Sequence, residues 1–388
     1  MARADELRIL QVVPALDAGG AERTTIEVAQ AVAAAGGRAV VASRGGRLES
    51  ELIDVGGEIA RLPMQSKNPA TIVANAGRLA ALARREDLRL LHARSRAPAW
   101  STMLAARAMG LPYVATYHGI YLAKGPIKRF YNSVMARADA VIATSNFTRE
   151  HVLKEHRINP AKVIAVPRGV DFTQFDPART DAEKVTALRR FWRVDGDNRA
   201  VVLVPARLSR IKGQTTVIEA AAKLESRRPG AAVFILAGDA QGRDDYVALL
   251  DQQATAAGVG DIVRRVGHQR DMPTALAAAD IGVFPSLVPE SFGRAAVEAQ
   301  AMGLLTIAAD LGGQAETVAD GETGMLFPAG DAEALAGALE RALDLSPEAR
   351  SAMTEAAKAR ARALYSTAAL QASTLEIYRK LLQDRPRV

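Results

Sequence analysis

Short apolar runs alternate with longer amphipathic stretches in this chain, and the alternation occurs twice in succession. This pattern limits the possible folds more than any other feature does. Residues 7–13 form an apolar run that breaks at a proline and at the pair Gly19-Gly20, and residues 21–35 then have apolar positions at helical spacing. The same order of strand, turn and helix continues through the first half of the chain and restarts near residue 200. Because parallel strands require crossover helices, the pattern predicts an α/β protein with two Rossmann-like, doubly wound parallel sheets.

The alternation pauses once, in a polar, proline-containing stretch at residues 167–181. A stretch of this composition indicates a linker. We therefore predict a first domain over residues 1–175 and a second over residues 176–366. Residues 367–388 contain a further helical stretch, whose apolar positions require a partner surface. Two such sheets in tandem predict a cleft between their carboxyl edges, which suits two substrates.

The composition restricts the ligands and the location of the protein. A net charge of +7 predicts a surface that attracts anions, while an aromatic content of 5% argues against a nucleic-acid platform. A weak contact with an anionic bilayer, or with a substrate anchored in one, stays open. The chain has no cysteine, so thiolate metal sites and cysteine nucleophiles are excluded. Its amino terminus leads directly into a strand, and no apolar run reaches membrane-span length. These features predict a cytoplasmic protein. Peripheral contact with the inner face of the cytoplasmic membrane is an additional option.

Two carboxylates flank the start of a predicted helix in the second domain. Glu290 lies in a loop after a buried strand, and Glu298 lies in the helix over residues 294–302, about 12 Å further on. Carboxylates at this separation are too far apart to hold one atom, but they can bracket one elongated ligand. The alternative stays open that Glu298 is a solvated helix residue and Glu290 a charge favoured by the helix dipole.

Two cations follow the first strand of the second domain. The loop at residues 205–213 carries Arg207 and Lys212 and ends in a glycine immediately before a helix. Basic side chains and free amides at a helix N-terminus predict a phosphate site, and a solvated basic turn is the alternative. Gly238 ends the next strand, in a turn that we interpret as a second ligand contact.

The remaining candidates carry less information by themselves. The Gly19-Gly20 turn follows the first strand of its sheet, but it lacks a dinucleotide-binding fingerprint and a nucleotide-triphosphatase loop. His118 follows an inner strand at its carboxyl edge, where a single histidine is more often structural than functional. Residues 195–197 spell Asp-Gly-Asp, a metal-binding pattern of some sugar transferases, but they fall where Asp and Gly make turns, which is the favoured interpretation.

Several of these features follow one another in an order that one protein family shares: Gly19-Gly20, His118, Arg207, Lys212, Glu290 and, eight positions later, Glu298. Over nearly the whole chain the sequence resembles glycosyltransferase family 4. The resemblance implies the GT-B fold, with two domains facing across a cleft, the acceptor on the first domain and most of the nucleotide-sugar donor on the second. It also implies that the final helix crosses back onto the first domain. Ala206 and Arg294 depart from the family pattern, since glycine and a smaller residue are common there.

The resemblance implies roles for single residues. Arg207 and Lys212 resemble the cations that neutralise the donor diphosphate. Glu298 resembles the carboxylate that accepts hydrogen bonds from the ribose hydroxyls, and Glu290 resembles the one that faces the hydroxyls of the transferred sugar. His118 resembles the histidine near the reactive end of that sugar. Backbone groups complete the implied donor site, and they belong to Gly19, Gly20, Gly238, Ser291, Phe292, Gly293 and Arg294.

The implied reaction transfers a hexose-type sugar from a UDP- or GDP-linked donor to a hydroxyl of a glycan or lipid-linked acceptor, with retention of configuration and without a metal ion or other cofactor. Cations and helix amides can absorb the charge of the leaving diphosphate, so the chemistry is consistent without a metal. The resemblance and the basic surface suggest a role in lipopolysaccharide or other bacterial surface polysaccharide synthesis. Two alternatives stay open: an inactive nucleotide-sugar-binding partner of another transferase, and a nucleotide-sugar 2-epimerase of the same fold.

Overall fold

Two parallel β-sheets, each covered by helices, form the described part of the chain, which comprises residues 7–17, 19–121 and 125–384 in a computed structural model. The predicted fold class is confirmed. The contacts divide the chain into two units, of which the first ends at Gly169 and resumes at Thr367, and the second comprises Val170–Ser366. The division lies a few residues before the predicted one because Val170 and Phe175 are buried in the core of the second unit.

The sheet of the first unit has seven parallel strands in the order β3-β2-β1-β4-β5-β6-β7. Its strands are β1 Arg8–Val12, β2 Arg38–Ser43, β3 Glu58–Arg61, β4 Leu90–Ala93, β5 Tyr113–Tyr117, β6 Ala140–Ala143 and β7 Val163–Ala165. Its helices are α1 Gly20–Ala34, α2 Glu49–Asp54, α3 Pro69–Arg85, α4 Arg96–Met109, α5 Pro126–Ala136, α6 Asn146–Glu155 and, from the end of the chain, α14 Thr367–Asp384. The strand order reverses between β1 and β4, and ligands of such sheets bind beyond the carboxyl ends of the strands at that point.

The sheet of the second unit has six parallel strands in the order β10-β9-β8-β11-β12-β13. Its strands are β8 Ala200–Pro205, β9 Ala232–Ala237, β10 Val263–Arg265, β11 Ile281–Phe284, β12 Leu305–Ala309 and β13 Met325–Phe327. Its helices are α7 Ala182–Phe191, α8 Gln214–Arg227, α9 Asp244–Ala256, α10 Met272–Ala277, α11 Arg294–Ala301, α12 Ala332–Asp344 and α13 Pro347–Tyr365. Here the order reverses between β8 and β11, the strands that precede the predicted cations and the predicted carboxylates.

The apolar face of α14 packs within the first unit, against α1 and the sheet. Leu370, Ile377 and Tyr378 join the same buried cluster as residues of β1 and β2. Buried clusters lie on both faces of each sheet, which explains why the strands are continuous apolar runs. No helix in the described ranges is long and apolar enough to cross a bilayer.

Candidate functional site

The basic loop of the second unit is held against the end of β11. The loop ends at Gly213, which has a positive φ of 70°, and a Cβ atom there would lie 1.8 Å from the carbonyl oxygen of Pro285. Only glycine fits this approach. The amide of Leu287 also donates a 2.9 Å hydrogen bond to the carbonyl of Ile211. The loop after β8 is therefore fixed to the loop after β11 at the point where the strand order reverses.

Lys212 and Glu290, which are far apart in the sequence, form an ion pair in this place. Lys212 Nζ lies 2.7 Å from Glu290 Oε1, and the two side chains are 25% and 27% exposed. Ser286 Oγ donates to the same oxygen, and the Glu290 carbonyl accepts a 2.7 Å hydrogen bond from the Gly313 amide. Both side-chain contacts use Oε1, so among the described residues Oε2 has no partner. The carboxylate is thus fixed in position with one oxygen available to a ligand.

Arg207 lies in the same basic loop with its side chain exposed. Its backbone is fixed, because the buried Gln214 donates from Nε2 to the Arg207 carbonyl at 3.1 Å and accepts at Oε1 from the Tyr246 hydroxyl. Within the described ranges the Arg207 guanidinium has no ion pair or hydrogen bond. It is therefore a positioned, uncompensated cation on the loop that also carries Lys212.

Glu298 lies in α11 beside Arg294, one turn earlier. Arg294 Nε donates a 2.8 Å hydrogen bond to Glu298 Oε1, and the carboxylate side chain is 15% exposed. Burial raises the pKa of Glu298, and the Arg294 guanidinium acts against that rise. As in Glu290, Oε2 has no partner among the residues described. The i,i+4 spacing of the two residues along the chain was a signal for this pair.

The turn before α11 presents backbone groups and not the Phe292 ring. Gly293 has a positive φ of 95° and is the N-cap residue that precedes α11, with no side-chain cap hydrogen bond. The Phe292 side chain is buried, and its ring packs edge-on against Tyr365 with 5.3 Å between centroids. Any ligand contact of Phe292 is therefore through its backbone. Ser291 precedes it and is partly exposed. The uncapped amides at the start of α11 suit an anion.

Gly238 has an explanation that involves no ligand. A Cβ atom on Gly238 would lie 1.9 Å from the carbonyl oxygen of Ala206, and the Leu208 amide bonds to the Asp239 carbonyl at 3.0 Å. The glycine allows the end of β9 to pack under the basic loop. Its predicted donor contact stays a prediction.

In the first unit, Arg168 brings the glycine turn and His118 together. A Cβ atom on Gly20 would lie 1.5 Å from Arg168 Nη1, so the guanidinium occupies the space that a side chain would fill. Arg168 Nη2 donates a 3.0 Å hydrogen bond to the His118 carbonyl and lies 3.4 Å from His118 Nδ1. Arg168 falls in the stretch predicted as a linker, although its place just beyond the carboxyl end of β7 Val163–Ala165 was a signal.

His118 is surrounded by positive charge. Burial, followed by the Arg168 and Arg94 guanidiniums, lowers the pKa of His118 well below its ordinary value. Arg94 is itself buried, and its Nε donates a 2.9 Å hydrogen bond to Gln11 Oε1. His118 is therefore neutral at neutral pH, and it can exchange hydrogen bonds with a hydroxyl without carrying charge.

The Asp-Gly-Asp run forms a turn, which was the favoured interpretation. Asp197 pairs with Arg199 at 2.6 Å, and this partner lowers the pKa of Asp197 to about 2. Asp195 pairs with Arg190 at 2.9 Å. In the described part of the chain, no group of three or more His, Asp or Glu side chains is arranged to hold a metal ion.

Comparison with known sequences identifies two matching families. The model described as Glycosyltransferase Family 4 matches residues 18–174, and the model described as Glycosyl transferases group 1 matches residues 189–360. A D-inositol 3-phosphate glycosyltransferase of Salinispora arenicola is 32% identical over 258 residues, which cover 62% of this chain and 57% of that protein. The chain thus spans little more than half the length of the first curated relatives that it matches.

Solved structures match over almost the whole chain. A glycosyltransferase from Rickettsia africae is 32% identical with a TM-score of 0.91, over 98% of this chain and 100% of that one. Anabaena HepE, solved in complex with UDP-glucose, is 25% identical with a TM-score of 0.82, over 96% of this chain and 99% of that one.

Proposed function

Because this chain belongs to the group 1 glycosyltransferases of family 4, we propose that it transfers a hexose-type sugar from a nucleoside diphosphate to a hydroxyl of a glycan or lipid-linked acceptor. The transferred group leaves a phosphate oxygen and joins the acceptor oxygen. The second unit binds most of the donor, and the first unit binds the acceptor.

The observation that carries the proposal is the contact of Lys212 with Glu290. Two residues that were assigned to neighbouring parts of one donor lie 2.7 Å apart, at the end of the sheet where ligands bind. A diphosphate can replace Glu290 as the partner of Lys212, because it offers more charge and more acceptor oxygens. Arg207 and the first amides of α11 supply further donors. Anabaena HepE was solved in complex with UDP-glucose, which supports a UDP-linked sugar as the donor of this chain. A GDP-linked sugar is the alternative.

We assign the donor ribose to Glu298 and the transferred sugar to Glu290. Each carboxylate uses Oε1 on a cation and has Oε2 available to accept hydroxyl hydrogen bonds. Burial raises the pKa of Glu298, and the Arg294 guanidinium opposes that rise and so favours the ionised carboxylate, which is the stronger acceptor.

We propose that transfer retains the anomeric configuration and needs no metal ion. The acceptor hydroxyl attacks the face from which the diphosphate departs, its proton passes to the departing phosphate oxygen, and the new glycosidic bond forms as the old bond breaks. Lys212, Arg207 and helix amides stabilise the charge of the leaving group. Neutral His118 binds a hydroxyl of the transferred sugar. An inverted product in NMR, or activity that a chelator abolishes, would contradict this mechanism.

For the acceptor, we propose a precursor of a bacterial surface polysaccharide such as lipopolysaccharide. Family membership and the basic surface support this assignment. Incubation of the protein with radiolabelled donor and lipid or core-oligosaccharide acceptors tests it, and transfer only to a small soluble acceptor would argue for another pathway.

A thermal-shift screen with UDP-, GDP-, ADP- and CMP-sugars tests the donor site. A ligand at 100 times its dissociation constant stabilises the folded state by about 2.7 kcal/mol, which is a measurable shift. Lys212→Ala should abolish the shift with the matching donor. An unchanged shift in Lys212→Ala would mean that the phosphate site is misplaced. Release of free nucleotide in the presence of acceptor separates a transferase from an inactive nucleotide-sugar-binding protein, which would bind without turnover.

A further inference from the structure

The first two turns of α5 expose large apolar side chains to solvent. Every residue from Gly125 to Phe130 is exposed, and Ile127 and Phe130 are 86% and 59% exposed. Residues three positions apart lie on one face of a helix. Single exposed apolar residues are ordinary, but a pair on one short helix face indicates a binding surface.

Four cations surround this apolar face. Lys128 and Arg129 lie on the same turns, and the Arg137 guanidinium lies 5.2 Å from the centre of the Phe130 ring. Arg157 follows α6 and, together with Arg129, Arg137 and Phe130, lines a groove of about 440 Å³. Glu155 also lines the groove, but within the described ranges none of these four cations forms an ion pair with a carboxylate. The apolar face and the groove together form the α5 surface.

The second half of α5 anchors the helix to the rest of its unit. Trp100 Nε1 donates a 3.2 Å hydrogen bond to the Tyr131 carbonyl, and Arg96 donates a 2.9 Å hydrogen bond to Asn132 Oδ1. The Phe130 ring also packs against Trp100, with 5.2 Å between ring centroids. The exposed first half is therefore presented on a fixed support.

We propose that the α5 surface docks the protein on an anionic lipid bilayer. Ile127 and Phe130 enter the boundary between headgroups and acyl chains, and the cations bind lipid phosphates, so that the helix lies in the interface and does not cross the membrane. Charge complementarity selects this occupant. Four unpaired cations around an apolar pair match the negative surface and apolar interior of a bilayer, whereas an apolar protein partner would leave them without counter-charges.

Co-sedimentation of the full chain with vesicles tests this proposal. The protein should bind vesicles of equal parts phosphatidylglycerol and phosphatidylcholine, should not bind pure phosphatidylcholine, and should dissociate as salt is added. Ile127→Ser/Phe130→Ser should lower the partition coefficient on the anionic vesicles by about tenfold or more, because both apolar anchors are lost. Lys128→Gln/Arg129→Gln should lower it by a similar factor and weaken its salt dependence.

Matched variants elsewhere serve as controls. Phe191 on α7 is 67% exposed, so Phe191→Ser removes a comparable apolar side chain from the second unit. Arg47→Gln/Lys184→Gln removes two exposed charges that are remote in sequence from α5. Both controls should bind anionic vesicles like the wild type, and circular dichroism should show that every variant is folded.

Several results would overturn the proposal. One is equal binding by Ile127→Ser/Phe130→Ser and the wild type, and another is an equal loss in the charge control, which would show binding by net charge alone. Displacement by inorganic phosphate at constant ionic strength would assign the groove to soluble phosphates. A dimer that Ile127→Ser/Phe130→Ser converts to a monomer in sedimentation would make the surface a self-interface. Vesicle binding is measured without donor, so its failure is distinguishable from failure of the proposed transferase activity.

Discussion

At the scale of single residues, the second unit pairs each of its two key carboxylates with one cation. Lys212 contacts Glu290 and Arg294 contacts Glu298, each through Oε1. Because each pair is partly shielded from solvent, the carboxylates are held in place while Oε2 can accept a hydrogen bond. Because we assign the two carboxylates to different parts of the proposed donor, loss of each should produce a different defect.

We expect Glu298→Ala to weaken nucleotide binding and Glu290→Ala to slow transfer. A hydrogen bond to a charged group contributes about 1.5–3 kcal/mol, so the dissociation constant for nucleoside diphosphate should rise roughly ten- to hundredfold in Glu298→Ala. In Glu290→Ala nucleotide affinity should be largely kept, because Lys212 is freed for the phosphates, while kcat falls by about 10²-fold or more. Calorimetry and steady-state kinetics measure both. Identical phenotypes would refute the assignment.

In the first unit, we expect Arg168 to position His118, because its guanidinium contacts the His118 carbonyl and ring. Arg168→Ala should lower kcat with little change in the dissociation constant for free nucleotide, and it should raise the pKa of His118 because a nearby positive charge is removed. NMR titration of the His118 ring measures the second effect, which a purely structural role would not predict. Arg168→Lys should restore part of the pKa depression. The exposed Arg47→Ala is the control, and a His118 titration curve that Arg168→Ala leaves unchanged would contradict this role.

At the scale of secondary-structure elements, glycines and buried polar bonds determine how loops and helices are attached. Gly213 fixes the basic loop to the end of β11, and Tyr378 attaches α14 to the sheet. The Tyr378 hydroxyl lies 2.6 Å from His92 Nδ1, and His92 Nε2 lies 2.7 Å from Thr116 Oγ1. Both attachments are close contacts in buried surroundings, so both should be sensitive to small substitutions.

Gly213→Ala should disrupt the donor site, whereas Gly258→Ala should not. Both glycines have a φ near +70°, but a Cβ atom on Gly213 meets the Pro285 carbonyl and one on Gly258 meets nothing within 4 Å. The left-handed backbone alone costs a non-glycine residue about 1–2 kcal/mol, which is the loss expected for Gly258→Ala in urea unfolding. Gly213→Ala adds a clash, so it should lose more stability and also the donor-induced thermal shift. Equal losses in the two variants would contradict the close approach.

Tyr378→Phe should destabilise the protein by about 1–3 kcal/mol, since it leaves a buried histidine nitrogen without its partner. Tyr131→Phe is the matched control, because the Tyr131 hydroxyl is buried and has no hydrogen-bond partner within the described ranges. Its removal should change the free energy of unfolding by less than about 0.5 kcal/mol. Urea denaturation measures both, and a neutral Tyr378→Phe would show that the bond contributes no net stability.

In the molecule as a whole, the two units differ in how many chain segments form them. The second unit is one continuous segment, whereas the first unit is completed only by α14 from the end of the chain. The buried histidines of the first unit, His92 and His118, link its stability to pH. Burial lowers the pKa of His92 well below its ordinary value, as it does for His118.

We expect the free energy of unfolding to fall as the pH drops below about 6.5. Below this pH the unfolded histidines take up protons that the folded ones do not. Their contribution to the free energy of unfolding is therefore complete above the unfolded pKa and is lost below it. The loss is at most about 1.4 kcal/mol per pH unit for each histidine. The raised pKa values of Glu22 and Glu298 act in the opposite direction at lower pH. Urea unfolding at about pH 7 and about pH 5.5 measures the slope, and His92→Gln should reduce it. A slope that His92→Gln leaves unchanged would contradict the account.

Local patterns in the sequence were sufficient for the fold class and most elements, because period and turn chemistry are properties of neighbouring residues. The helices predicted over residues 21–35 and 294–302 correspond to α1 Gly20–Ala34 and α11 Arg294–Ala301. The helix α2 was missed, since only Leu52 among its residues is buried and no periodic face marks it.

Local patterns along the chain thus predict two parallel sheets and the chemistry available at their carboxyl ends. Which of those groups meet depends on the three-dimensional fold. The contact of Lys212 with Glu290 and that of Arg168 with Gly20 and His118 join residues from separate strands and loops. The reason is physical: strand order and the close approach of backbones at glycines determine these distances, and neither is encoded in the spacing of the residues along the chain.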